Sequence, residues 1–142
     1  YVLQSPRLNT IVLVAYYGSQ SDRLAEMADL ASLLHSRGKR VVVVGPTPRL
    51  EHGEDLPTHL ARGRSGQIPF GDPTPSFRRA FEGVADLVMP TDLFCSATSC
   101  SLVIDGHPIL FDAHHPSMAA AKLTAERILV CVNERRCSHS AE

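Results

Sequence analysis

Two short apolar runs, residues 10–15 (T-I-V-L-V-A) and 41–44 (four consecutive valines), enclose a single helical stripe, and this constrains the chain more than any other feature of it. A continuous run rich in β-branched residues is the pattern of a strand covered on both faces in a parallel sheet. Between the runs, Gly18-Ser19-Gln20-Ser21 breaks the first strand. Ser21 or Asp22 then caps a helix whose Leu24, Met27, Ala28, Ala31 and Leu34 fall on one face. Arg37 followed by Gly38 reads as its end, with Gly38 at the C′ position. Lys39 and Arg40 lead into the second strand, which stops at Gly45-Pro46. Parallel strands need a crossover, so the three pieces form one β-α-β unit, right-handed by the general rule.

From residue 46 to 75 the periodicity disappears. Six of the ten prolines (Pro46, Pro48, Pro57, Pro69, Pro73 and Pro75) fall here, with Gly53, Gly63, Gly66 and Gly71. We expect a single domain over residues 1–142 with residues 46–75 as a long Pro/Gly-rich loop inside it, bordering the site. A short helix around residues 75–83 carries Phe77, Ala80 and Phe81 on one side, and a brief strand follows at 85–89. Segments 102–104 and 108–111 flank Asp105-Gly106, the strongest short-range hairpin signal in the chain. A last helix, about 117–132, offers Met118, Ala121, Ile128, Leu129 and Val132 for burial. The alternation predicts an α/β class with a mostly parallel sheet. Ligand sites in such sheets lie beyond the carboxyl ends of the strands. Tyr16-Tyr17, residues 46–48 and residues 112–115 each follow a strand, and that rule puts them on the rim. Tyr16 and Tyr17 are candidates to stack on a sugar ring, with packing in the rim as the equal alternative.

Charge and length remove several function classes. With 14 Lys+Arg against 15 Asp+Glu, the chain has no field of the kind that drives binding to nucleic acid or anionic membranes. Its longest apolar runs fall far short of the ~20 residues of a membrane-spanning helix. The chain begins at Tyr1 with no initiator Met, and reads as a piece cut from something longer. Four cysteines stand as two close pairs, Cys95/Cys100 and Cys131/Cys137, and permit three pairings that sequence does not choose among. Short-range pairing is the simplest arrangement and points to an oxidising compartment. Reduced thiols and a structural zinc site are the alternatives, though zinc favours shorter spacings than C-x₄-C and C-x₅-C.

The densest cluster of chemical side chains is Phe111-Asp112-Ala113-His114-His115-Pro116-Ser117. A carboxylate three residues before an imidazole, in a loop between a strand and a helix, can accept a hydrogen bond from Nδ1–H of His115. Nε2 is then the proton acceptor for a nucleophile, the base-plus-orienter arrangement of acyl transfer by hydroxyl groups. Pro116 holds His115 extended, outside the helix that follows, and Ser117 suits its N-cap. Two readings compete with catalysis: surface polar structure, and a metal site from Asp112, His114, His115 and His107. Adjacent histidines rarely converge on one ion. His35, His52, His59 and His139 read as solvated, and residues 62–66 (R-G-R-S-G) as a charged loop.

These residues carry a resemblance. The cysteine-bounded stretch 95–100, then Leu102-Val103-Ile104-Asp105-Gly106, then residues 110–121 resemble the C-terminal end of the SGNH-type domain attached to membrane acyltransferases of family three, which O-acetylate bacterial surface glycans. There a cysteine-bracketed loop leads to a short hairpin and a pattern close to Y/F-D-x-x-H-L-S-x-x-G-A. The upstream strand, helix and valine strand match the order of elements in that domain. The resemblance implies a three-layer SGNH-hydrolase-like α/β fold, incomplete at the N-terminus. Asp112 becomes the orienting carboxylate and His115 the general base of a Ser-His-Asp triad; Ser117, two residues on, favours His115 over His114. A disulfide between Cys95 and Cys100 near the site is implied, with no cofactor and no metal. So are a polysaccharide acceptor, a membrane acyltransferase domain in the same polypeptide, and a periplasmic or extracytoplasmic setting within an inner-membrane protein.

The chain departs from that pattern at Pro116, usually Leu, and Ala120, usually Gly. It contains no Gly-Asp-Ser nucleophile turn; Gly71-Asp72 is followed by Pro73. The asparagine of the family's oxyanion hole has no counterpart, since Asn9 and Asn133 both lie elsewhere. The expectation is therefore an acetyltransferase domain whose serine lies upstream of Tyr1. A non-catalytic glycan-binding or interaction module of the same fold, and a carbohydrate esterase using water, are the alternatives.

Overall fold

The computed structural model describes residues 3–14, 21–50, 55–63, 66–69, 74–113, 115–135 and 137. Strand β1, Thr10–Val14, is followed by helix α1, Ser21–Ser36. The helix stops where the sequence says it must. Gly38 N–H donates to His35 O and Lys39 N–H to Leu34 O, the paired bonds of a Schellman motif, and Gly38 takes φ +73° to make them. Strand β2, Arg40–Val44, runs parallel to β1 in register from Thr10↔Arg40 to Val14↔Val44. Val41 to Val44 are all buried, as four adjacent apolar β-branched residues require of a central strand.

The stretch 46–75, expected as a long loop, holds two short elements among its described residues. Helix α2, Leu56–Ala61, forms because Asp55 caps it and Pro57 sits in its first turn, where no backbone donor is needed. The Asp55 carboxylate accepts from Thr58 N–H at 2.8 Å and Thr58 Oγ1–H at 2.9 Å, and these bonds hold its carboxyl below the ordinary value. Strand β3, Gln67–Pro69, comes next, then helix α3, Thr74–Ala80, whose Phe77 packs against Phe81 with the rings tilted at 49° and their centroids 4.9 Å apart. Strand β4, Asp86–Val88, pairs parallel with β2, giving the order β1-β2-β4. This is the parallel α/β sheet the alternation predicts. Helix α4, Pro90–Phe94, was not legible in the sequence; it starts on a proline. Strand β5, Ser99–Ser101, pairs antiparallel with β3. Strands β6, Val103–Ile104, and β7, His107–Pro108, form the expected hairpin, with Asp105 and Gly106 at φ +50° and +78°. Positive φ at both central residues is what a two-residue turn of matching twist demands. Helix α5, Met118–Glu134, is last.

The chain divides into two compact units. The first comprises Tyr1–Gly45, Pro73–Val88 and Ile128–Glu142, and contains the parallel sheet. The last turns of α5 cover its centre: Cys131 packs with Val42 and Val88, joined by Ile128, Val132 and Cys137. Arg40, at the start of β2, secures this helix end. Its guanidinium bonds Asp86 at 2.8 Å and donates to the carbonyls of Val132 and Cys131 in the last turn of the helix, where a cation also meets the negative end of the helix dipole. A disulfide joins Cys131 to Cys137 beside it. One expectation fails here: β1 is not covered on both faces. Val12 is 38% and Val14 68% exposed, because β1 is the edge of the sheet among the described residues and α5 packs over Val42 and Val88.

The second unit comprises Pro46–Asp72 and Met89–Arg127. Its core gathers Leu50, Leu56, Phe94, Leu102, Ile109, Leu110 and Ala120. The β3–β5 ladder, the β6–β7 hairpin and the first turns of α5 hang on that core, and a disulfide joins Cys95 to Cys100. Among the described residues, no helix is long and apolar enough to cross a membrane.

Candidate functional site

The segment after β7 alternates between anchoring and presenting. Ile109 and Leu110 are buried in the core of the second unit, Phe111 is exposed, Asp112 is half-buried, Ala113 is buried again and His115 is exposed. Two apolar residues thus pin the incoming strand and a third pins the middle of the loop. Asp112 lies between these anchors and His115 just beyond the second.

Backbone bonds close the loop on itself. Phe111 N–H donates to His115 O and Ser117 N–H to Ile109 O, both at 2.8 Å, and Leu110 faces Pro116 in an antiparallel bridge. Leu50, far upstream, reaches the middle of the loop, where its N–H donates to Ala113 O at 2.8 Å. Pro116 has no N–H to offer, and none is required of it in this pairing. Ser117 then opens α5: its Oγ accepts from Ala120 N–H at 3.2 Å, the bond of an N-cap residue to the third helical position.

Within this frame Asp112 and His115 meet. Asp112 Oδ1 accepts from His115 N–H at 2.8 Å, and Asp112 Oδ2 lies 2.6 Å from His115 Nδ1. An ionised carboxylate only accepts, so in this contact Nδ1 carries the proton. Nε2 is then the ring nitrogen that carries the lone pair. The His115 side chain is 63% exposed and that of Asp112 36%, so a reacting partner can approach the imidazole while the carboxylate stays behind it. Chemically, such an arrangement can orient an imidazole to accept a proton.

The expectation that Asp112 and His115 come together is thus realised in the geometry, and the hydrogen bond is the one the spacing suggested. His114, Tyr16 and Tyr17 lie outside the described residues. The two short-range cysteine pairs are both disulfides, Cys95–Cys100 and Cys131–Cys137, and no described cysteine is free. Among the described residues, Asp86, Cys131 and Cys137 bring three possible ligand atoms within 4.8 Å of one another. The two sulfurs are bonded to each other, and a disulfide offers no thiolate to a metal. Sequence reasoning missed Leu50, whose contact carries no local signal because it is a backbone bond between distant segments. It also missed the second bond of Ser117, whose hydroxyl donates to Pro108 O at 2.6 Å.

A family model described as SGNH domain (fused to AT3 domains) matches residues 1–129, a span that contains Asp112, His115 and Ser117. No curated protein and no solved structure matches the chain.

Proposed function

The chain belongs to the family of SGNH domains fused to AT3 domains, and from that membership we propose that it is the extracytoplasmic O-acetyltransferase domain of a bacterial membrane protein, acting on a surface polysaccharide. As an acyltransferase-associated SGNH module it has a membrane acyltransferase domain as its partner. The observation that carries the reading is the 2.6 Å contact between Asp112 and His115 Nδ1. Two disulfides support the compartment, since such bonds persist in oxidising surroundings.

In the proposed reaction a serine from a segment outside residues 1–142 attacks the carbonyl carbon of an acetyl donor. Its proton passes to His115 Nε2 and from there to the departing donor group. A hydroxyl of the polysaccharide then attacks the acetyl-serine, gives its proton to Nε2, and leaves acetylated as the serine regains that proton. Asp112 holds the imidazole in the tautomer that can accept, and stabilises the imidazolium that forms. Tyr16 and Tyr17 are proposed, on the sequence alone, to stack on the acceptor sugar. With water in place of the sugar hydroxyl, the same steps make an esterase.

The test is acetyl transfer to polysaccharide, and hydrolysis of an acetyl ester, by the chain joined to the polypeptide that precedes it. His115→Ala lowers both by about 10⁴-fold or more, and Asp112→Asn by about 10⁴-fold, because an amide facing Nδ1 turns the ring to the wrong tautomer. Full activity in His115→Ala sinks the assignment. Hydrolysis without transfer selects the esterase, and glycan binding with no turnover selects a non-catalytic module.

A further inference from the structure

We propose that Ser117 is a positioning residue for His115, tying shut the neck of the loop that carries it; the functional meaning of this rests on the reading of His115 as a general base. All four polar functions of Ser117 are engaged. Its N–H donates to Ile109 O and its carbonyl accepts from Ala121 N–H, both at 2.8 Å. Its hydroxyl donates to Pro108 O at 2.6 Å and accepts from Ala120 N–H at 3.2 Å. An N-cap needs only the last of these bonds. The donation to Pro108 runs the other way, across the base of the loop to the end of the β6–β7 hairpin, nine residues back along the chain.

The consequence follows from where the loop is and is not held. Asp112 and His115 are bonded to each other, and the loop that carries them is held by the two strands of its neck, residues 108–111 and 115–117, and by the Leu50 bond to Ala113 O. The Ser117 hydroxyl adds a side-chain bond across the base of this neck, to Pro108 O. Without it the exit strand swings on the remaining backbone bonds, and the imidazole loses its alignment with the carboxylate.

Three substitutions separate this role from helix capping. Ser117→Thr keeps both the donor and the acceptor. Ser117→Asp remains a good N-cap for α5 but cannot donate to Pro108 O, and places a carboxylate against that carbonyl. Ser117→Ala removes both bonds. The measurement is the ¹⁵N spectrum of the imidazole rings in the 142-residue chain, with His115 assigned from the signal lost in His115→Gln, at a pH where the ring is neutral. The expected result is an Nδ1–H tautomer for His115 in the parent and Ser117→Thr, and a shift toward the Nε2–H tautomer in both Ser117→Asp and Ser117→Ala. A parent-like spectrum in Ser117→Asp overturns the proposal and leaves Ser117 a cap alone; because Ser117→Asp keeps the N-cap, the test stands on it even if Ser117→Ala fails to fold. In the chain joined to its preceding polypeptide, kcat falls by up to about 10²-fold in Ser117→Asp with KM little changed, the scale of a small misplacement of reacting groups. The spectra report on Ser117 whether or not the protein turns over, so failure of the enzyme reading, seen as indifference of activity to His115→Ala, is read separately.

Discussion

Both carboxylate oxygens of Asp112 contact one residue, and Asp55 is built the same way. Each aspartate accepts the N–H of the residue three places on with one oxygen and that residue's side chain with the other: Thr58 for Asp55, His115 for Asp112. One local device thus caps a helix in one place and orients an imidazole in another, and the partner side chain decides which. The device has a pH signature. The bonds from Thr58 favour the charged form of Asp55, so its carboxyl titrates below its unfolded-state value. The stability they add is fully present above the unfolded-state value and is lost as pH falls through the lower, folded one. Asp55→Asn keeps a capping oxygen and removes the titration. Thermal unfolding followed from neutral to acid pH is therefore expected to show the parent losing ground against Asp55→Asn only at the acid end. Parallel curves over the whole range would contradict the assignment.

Helix α1 and its flanking strands were legible because every signal agreed: an apolar stripe, a basic last turn and a glycine at C′. Gly38 is the most local of these signals and the easiest to test. At φ +73° a Cβ is disfavoured by backbone geometry alone, since no atom lies within 4 Å of where it would sit. Gly38→Ala is expected to destabilise the chain by about 1–2 kcal/mol, measured as a lower urea midpoint at unchanged m-value. The β6–β7 hairpin was legible for a similar reason, in the Asp105-Gly106 pair. Other elements were hidden. In residues 46–75, α2 is too short for a periodic stripe to register, and only Asp55 with Pro57 marks it. The exposed face of β1 was misread because an apolar run reports what a strand prefers, and its neighbours decide what it receives. Arg40 looked like a boundary charge. Its bonds to Asp86 and to the last carbonyls of α5 join residues that only the fold brings together.

Each compact unit carries its own disulfide, Cys131–Cys137 in the first and Cys95–Cys100 in the second. Both close short loops, with sequence separations of 6 and 5, and loop-closure entropy gives each about 2 kcal/mol. Oxidised chain unfolded in denaturant is expected to show no reactive thiol, and four after treatment with a reductant. Reduction is also expected to lower the unfolding midpoint, and four thiols before it would remove the support for an oxidising compartment. At this scale the fold class and the Asp112–His115 pair were readable in the sequence, the first from alternation and the second from a spacing of three. The tether from Leu50 was not, because a backbone bond between distant segments leaves no mark on the residues that make it. The pair itself needs no such long-range partner to find its other half. Two groups three residues apart meet within a single loop closure, so assembling them adds almost nothing to the contact order of the chain and waits on none of its slow, non-local steps. The proposed acid–base pair is written into a stretch short enough to be carried intact from one scaffold to another.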